Sequence, residues 1–297
     1  MDSITLRRVE SQKRLMLIFA HPDDESFGPG GTIAKYAAEG VAVHYVCATR
    51  GEAGTVEPKL LEPFGRLAED ERTGALRENE LHCASGKLGL AGLHFLGYRD
   101  SGMAPTDDPR ALVNADPDEV VRRLVQLIRD IKPQVVVTND PFGGYGHPDH
   151  IFIHHRATEA FHAAGDPARY PESGAPHRPQ KLYWTAFPRR WLKLVLRLMP
   201  LVGRDPAKFG RNHDVDLRQI ALHDYPVTTR IDVWPYYPIK AEAAACHHSQ
   251  DGSAMQLKGW PGAAKRLLLG VELFTRAEPP PNGERRIESD LFKGVNE

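Results

Sequence analysis

Six consecutive apolar residues, Leu15 to Ala20, run directly into His21-Pro22-Asp23. A run so short and so uniformly apolar suits a strand buried on both faces, as in a parallel sheet covered by helices on each side. The chain then alternates in the same style. A Gly-rich turn precedes a helix over roughly Thr32–Glu39, closed by Gly40 at the C′ position, and a second strand follows at Val41–Thr49. A helix near Asp70–Lys87 leads to a third strand at Leu93–Leu96. Pro117 opens a helix that runs to Lys132, with Val120, Val121, Leu124, Val125, Leu127 and Ile128 at helical spacing. Pro133 stops it before a fourth buried strand, Val135–Thr138, and another helix runs from Pro148 to Ala164. Repeated βα units with right-handed crossovers predict a Rossmann-like α/β fold: an open, mostly parallel sheet with helices on both faces.

The second half is less regular. Residues Gly165–Gln180 read as a Pro-, Gly- and Ala-rich loop, Lys181–Thr185 as a fifth strand, and Thr228–Val233 as another strand-like piece. A helix is expected around Ile239–His248, with a polar, Pro-rich tail from Glu278. Pro188–Met199 reads as an amphipathic helix with Trp191, Leu192, Val195, Leu198 and Met199 beside Arg189, Arg190, Lys193 and Arg197. Burial against the sheet, or a subunit contact in a homo-oligomer, is preferred there to a membrane-surface or lid role, because no second anchor accompanies it. No repeat or long linker divides the chain, so residues 1–297 are read as a single domain, with a core at about 14–185 and an elaboration at about 186–297.

Composition removes several classes of function. Lys and Arg number 38 against 39 Asp and Glu, a net charge of −1, which offers no footprint for nucleic acid or an anionic membrane. The basic N-terminal residues Arg7, Arg8, Lys13 and Arg14 precede an apolar run too short for a signal peptide or a membrane span, so no stable membrane insertion is expected and the cytoplasm is the default. The 3 cysteines, with Cys47 and Cys83 in apolar stretches, read as small buried hydrophobes in a reducing compartment and not as a disulfide framework.

Chemistry in such folds sits beyond the carboxyl ends of the strands. The first of these loops reads His21-Pro22-Asp23-Asp24-Glu25-Ser26-Phe27-Gly28-Pro29-Gly30-Gly31. Its glycines have the wrong spacing for G-x-G-x-x-G, and the second strand ends in Thr49-Arg50 without the acidic residue a nicotinamide cofactor needs. One imidazole and three carboxylates within five residues are better explained by a divalent cation, although a capped helix start would suffice for this loop alone. The loop after the fourth strand decides the matter, because Asp140 to His150 contains a second turn of the same kind, His147-Pro148-Asp149. Strands one and four commonly flank the switch point of a doubly wound sheet, so the two loops should converge.

His21, Asp24 and His150 then make a two-nitrogen, one-oxygen set with an open position, as in catalytic zinc sites, and Asp23 and His147 are left for proton transfer. The same count describes a non-haem iron site, so ferrous iron stays open beside zinc. His154 lies on the same helix face as His150 and is read first as a buried or surface histidine. His44, His82, His94, His162, His177, His213 and His223 read as structural or solvent-facing. His247 ends a helix, where it would complement the dipole or line the site.

These residues resemble the LmbE-like or PIG-L family of zinc-dependent N-acetylglucosaminyl deacetylases. The likeness is carried by Ala20 to Glu25 with Gly30 to Ala34, by Thr49-Arg50-Gly51-Glu52-Ala53-Gly54 and by Arg77 to Leu81. It continues in Leu96 to Met103 and Gly143 to His150, with a late echo at His247-x-Ser249-Gln250. The subgroup it resembles most includes the mycothiol-pathway deacetylase and the mycothiol S-conjugate amidase. The chain differs from relatives in lacking an acidic extension after the Gly-Glu-x-Gly loop and in its stretch Pro188–Gly210.

The resemblance implies metal ligation by His21, Asp24 and His150 and a general-base role for Asp23. It implies His147 as acid or oxyanion partner, Asp149 as the residue orienting that histidine, and Tyr145 as a mobile group polarising the acetyl carbonyl. Arg77, Asp100 and Glu52 match positions that approach the substrate. The activity so implied is removal of acetate from an N-acetylated sugar or sugar conjugate by metal-activated water, with His147 or Asp23 returning a proton to the amine. An amidase acting on a thiol–sugar conjugate and a metal-dependent carbohydrate-binding protein without turnover are the competing readings.

Overall fold

The computed structural model describes residues 12–187, 192, 196–203, 205–208, 216–223, 225–283 and 287–296. In chain order the elements are β1 (Arg14–Phe19), the short α1 (Asp24–Phe27), α2 (Gly30–Ala38), β2 (Ala42–Thr49), α3 (Pro58–Leu61), α4 (Glu69–Leu88), β3 (Gly92–Tyr98), α5 (Pro117–Ile131), β4 (Val135–Thr138), α6 (Gly143–Gly146), α7 (Pro148–Ala163) and β5 (Lys181–Ala186). After these come α8 (Leu217–Leu222), β6 (Thr229–Asp232), α9 (Tyr237–Cys246), α10 (Gly262–Leu269) and β7 (Val271–Glu278).

One seven-stranded sheet has the order β3-β2-β1-β4-β5-β7-β6. Strands β1 to β5 run parallel, while β7 pairs antiparallel with both β5 and β6. The mostly parallel α/β architecture expected from the sequence is therefore present. Alternate side chains of β1 explain why Leu15 to Phe19 had to be apolar. Leu15, Leu17 and Phe19 pack with Ile33 of α2, Leu81, Ala84 and Leu88 of α4 and Ala243 of α9. Met16 and Ile18 face Val120, Leu124 and Ile128 of α5 and Ile153, Ala157 and Ala160 of α7. Helix α5 shows its local code clearly: Asp116 accepts the Asp118 N–H at its start, Pro117 follows, and Lys132 takes a left-handed φ of 55° at its end.

Two expectations need correction. Strand β7 carries Glu272, Thr275, Arg276 and Glu278 and lacks an apolar run, so it escapes a periodicity reading, yet it joins β6 to the parallel sheet. Its charges find buried partners far away in sequence: Glu272 meets Lys240, and Arg276 meets Glu288. Second, Cys83 and Cys246 are not buried thiols but a disulfide joining α4 to α9, with Cys83 exposed; Cys47 alone is free and buried. The polar tail also returns to the core, where Leu291 and Phe292 are buried. Most of the amphipathic helix expected at Pro188–Met199 lies outside the described residues, as does His213. Among the described residues no helix is long and apolar enough to cross a membrane.

Candidate metal and catalytic centre

Strand β1 pairs with β2 on one side and β4 on the other, so the switch point of the sheet lies at β1. The loops leaving β1 and β4 meet there, as the two His-Pro-Asp turns required. The first turn is held by Asp24, whose Oδ2 accepts the N–H groups of Ala20 (3.2 Å) and His21 (2.9 Å). Asp23 sits at φ 121°, a backbone conformation costly for any residue but glycine.

The second loop is shaped by Asp140, whose Oδ1 accepts from Phe142 (2.8 Å) and Gly144 (3.2 Å). Gly143 combines φ 67° with a close approach to α7: a Cβ there would stand 2.8 Å from the His150 Cβ and 2.9 Å from the Ile151 nitrogen. His147 caps α7, its Nδ1 accepting the Asp149 N–H at 3.1 Å.

The convergence brings His21 Nδ1 to 3.0 Å from His150 Nε2, and Asp24 Oδ1 to 3.4 Å from the same His150 nitrogen. Two ligand atoms on one tetrahedral zinc lie about 3.3 Å apart at ordinary zinc–nitrogen lengths, so the His21–His150 and Asp24–His150 separations each suit a shared divalent ion. Among the described residues, the groups whose donor atoms all lie within 4.8 Å of one another do not include Asp24. His147 is a third imidazole in reach, since His21, His147 and His150 offer nitrogens within 4.8 Å of one another. His21 and His147 make a second such group with Asp100 and Asp149. Tyr145 lies against this cluster, its ring centroid 5.1 Å from that of His150 and 5.9 Å from that of His147.

Asp149 stands differently from the role the resemblance implied. Its carboxylate accepts from His21 Nε2 (3.1 Å), the Ser101 N–H (2.9 Å) and the Ser101 hydroxyl, while its contact with His147 runs through its own backbone N–H. As placed, Asp149 orients His21. Arg77 reaches from α4 to Asp23 Oδ2 (3.0 Å), the Pro22 carbonyl (2.8 Å) and the Gly51 carbonyl (2.8 Å). Gly51 is required by that approach, because a Cβ there would stand 2.2 Å from the guanidinium. Asp100 is 3.5 Å from His21 Nε2 and 3.7 Å from Arg77, and Glu52 accepts the Asp100 N–H at 3.0 Å.

Burial governs the electrostatics. It pushes the Asp23 carboxyl up to about 6, against Arg77, with Asp24 adding to the rise. Burial also raises Asp24. For Asp100 burial acts upward but is outweighed by His21 and Arg77, which hold it below the ordinary carboxylate range. Burial lowers His147 to about 3, helped by His21 and His150, and lowers His150 in the same way. For His21 the neighbouring carboxylates Asp100, Asp149 and Asp24 overcome burial and raise it. Several carboxylates gathered around His21 make a site that favours positive charge.

Other histidines are accounted for by partners outside this cluster. His154 is buried and its Nδ1 meets the Asn139 carbonyl at 2.7 Å. His44 and His94 pair with each other across β2 and β3 at 3.3 Å. His247 neither caps the dipole nor lines the site: it is fully buried, with Nε2 2.6 Å from Glu25 Oε1. Glu25 is the residue sequence reasoning missed, and only its place in the acidic run of the first loop marked it.

The family described as "PIG-L: GlcNAc-PI de-N-acetylase" matches residues 16–161. A 1D-myo-inositol 2-acetamido-2-deoxy-alpha-D-glucopyranoside deacetylase of Streptomyces scabiei is 41% identical over 299 residues, covering 95% of this chain and 90% of its own. The protein of the same name from Rhodococcus erythropolis is 40% identical over 302 residues, covering 96% and 99%. Among solved structures, the N,N'-diacetylchitobiose deacetylase of Pyrococcus horikoshii superposes with a TM-score of 0.60 at 20% identity, covering 90% of this chain and 84% of its own. GalB, a 4-carboxy-2-hydroxymuconate hydratase of Pseudomonas putida, does so with a TM-score of 0.58 at 22% identity, covering 90% and 97%. A deacetylase and a hydratase on one scaffold show that the shared fold does not choose the reaction.

Proposed function

This chain belongs to the PIG-L family of GlcNAc-PI de-N-acetylases, and from that premise we propose that it is a metal-dependent N-deacetylase acting on an N-acetylglucosamine joined to an inositol. The observation that carries this reading is the meeting of His21, Asp24 and His150 beside a half-buried Asp23, on a chain matched over 95% of its length by a deacetylase of that substrate. The cytoplasm is the compartment we assign to a polar, small-molecule substrate of this kind, and the whole chain is read as one catalytic unit.

His21, Asp24 and His150 would hold the ion, zinc or ferrous iron. When bound, such an ion supplies Lewis acidity, lowering the pKa of a water and polarising an amide carbonyl. Asp23, half-buried and raised to about 6, takes the proton of the attacking water at its carboxylate. Tyr145, which burial keeps as a phenol, donates to the developing oxyanion, and His147 faces the same space from the head of α7. The proton held by Asp23 then passes to the leaving amine, since burial keeps the His147 ring neutral. Asp149 fixes the ring of His21. Arg77 and Asp100 form the floor on which the sugar rests, and Glu52 acts on it by holding the Asp100 backbone.

Acetate release tests the reading. The GlcNAc–inositol pseudodisaccharide, free N-acetylglucosamine and a thiol–sugar amide conjugate should be compared with chelated protein and after return of zinc or ferrous iron. Turnover highest on the pseudodisaccharide and dependent on added metal is expected. Cleavage of the conjugate alone would make the chain an amidase, and binding without release would make it a carbohydrate receptor.

A further inference from the structure

The reaction proposed above asks Asp23 to stand in one place, although its backbone is held at φ 121°. A non-glycine residue so placed is strained and persists only where neighbours over-determine it. One neighbour is Arg77, on the side chain. Another lies on the backbone side: the Asp23 N–H donates to Glu25 Oε2 at 3.0 Å. Glu25 Oε1 in turn takes the Ser26 hydroxyl and His247 Nε2, the latter at 2.6 Å.

Glu25 and His247 are both fully buried. His247 Nδ1 has no hydrogen-bond partner among the described residues, so the polar contact of the ring is made to Glu25. The segment bearing His247 is itself fixed, because Ser249 donates from its N–H (2.9 Å) and hydroxyl (2.7 Å) to Glu80 of α4. Glu80 lies one turn beyond Arg77 on that helix. A buried carboxylate–imidazole pair is a poor source of stability compared with apolar side chains of similar volume. What this pair touches is the strained backbone of one catalytic residue.

We propose that Glu25 and His247 are positioning residues for the catalytic base: Glu25 clamps the Asp23 backbone in its left-handed conformation, and His247 fixes Glu25. Both Glu25 oxygens are already engaged, and Glu25 and His247 are fully buried. This inference rests on the reading of Asp23 as the base. Displacing a reacting group by about 1 Å costs on the order of 100-fold in rate, which sets the expected scale.

Glu25→Ala, Glu25→Gln and His247→Ala should be compared for kcat, KM, bound metal by elemental analysis, and crystal structure. Glu25→Ala is expected to lower kcat about 100-fold and His247→Ala about 10-fold, with KM within about 3-fold and metal content intact. Glu25→Gln, whose amide oxygen still accepts the Asp23 N–H, should recover to within about 10-fold of the parent. In the crystals the 3.0 Å contact between Asp23 Oδ2 and Arg77 should survive in the Gln variant and be lost in the Ala variant. Unchanged kcat in Glu25→Ala, loss that tracks metal content, or a Gln variant as damaged as the Ala variant would each overturn the proposal. Should Glu25→Ala not fold, unchanged kcat in His247→Ala overturns it alone. If the parent protein releases no acetate, the functional reading fails, and an Asp23–Arg77 contact retained in Glu25→Ala separately refutes the clamp.

Discussion

Arg77 and Asp23, 54 positions apart, meet at 3.0 Å with the guanidinium buried and the carboxylate half-buried, and the contact works against desolvation on the same carboxyl. Burial raises Asp23, Arg77 lowers it, and the balance leaves it near 6. Asp23 acts as base only when deprotonated, so activity falls as pH drops through its pKa. Removing the guanidinium takes away the strongest opposition to burial and Asp24 and leaves only the weaker pull of His247 and His21 against them. Arg77→Ala should therefore move the acid limb of the kcat profile to higher pH, besides lowering kcat through loss of positioning. An acid limb that stayed in place or moved down would show that another group controls it.

Holding the ion and moving the proton should separate by mutation. Asp23→Ala is expected to keep bound metal and lose about two to four orders of magnitude in kcat, the scale of a general base. His150→Ala removes the nitrogen that faces His21 at 3.0 Å and should lose the metal itself. Elemental analysis of both purified variants beside their turnover checks the assignment. Metal lost from the first and kept by the second would exchange their roles.

The Cys83–Cys246 bond closes a loop with a sequence separation of 163 between the two helices behind the site. Helix α4 carries Arg77 and Glu80, and Cys246 directly precedes His247. In the chain-entropy picture so long a loop contributes up to about 5 kcal/mol by restricting the unfolded state. A Cys83→Ser/Cys246→Ser double variant should unfold at lower denaturant by a few kcal/mol of stability, with most of the fold's α/β spectrum intact at zero denaturant. Equal midpoints for variant and parent would mean the bond adds no constraint the packing lacks.

What the sequence made legible followed from local physics. Strand β1, buried on both faces from Leu15 onward, had to be apolar there, and Asp116-Pro117 wrote the start of α5 plainly. The two loops could be assigned to one site because parallel order places β1 beside β4. The features that escaped all depend on partners remote in the chain. Glu272 and Arg276 made β7 look like a polar segment until Lys240 and Glu288 covered their charges. His247 resembled a helix cap because Glu25 lies 222 positions away, and Cys83 lacked a visible mate. Asp149 was given to its neighbour His147, whereas folding turns its carboxylate toward His21 and Ser101.

His154 offers a test of acid stability that does not involve catalysis. Burial lowers it from 6.5 to about 4, although the Asn139 carbonyl acts in the opposite direction. Above pH 6.5 it is neutral folded or unfolded and contributes no pH dependence. As pH falls from 6.5 toward 4 the unfolded chain takes up a proton that the folded protein refuses, so stability declines through that window. The difference, 6.5 − 4, corresponds to about 3 kcal/mol at most, at roughly 1.4 kcal/mol per unit. Denaturation midpoints between pH 7 and pH 4 should fall less steeply for His154→Gln than for the parent, even though the variant starts lower at pH 7 from repacking. Parallel slopes for the two proteins would show that His154 takes up its proton as readily in the folded state as in the unfolded one.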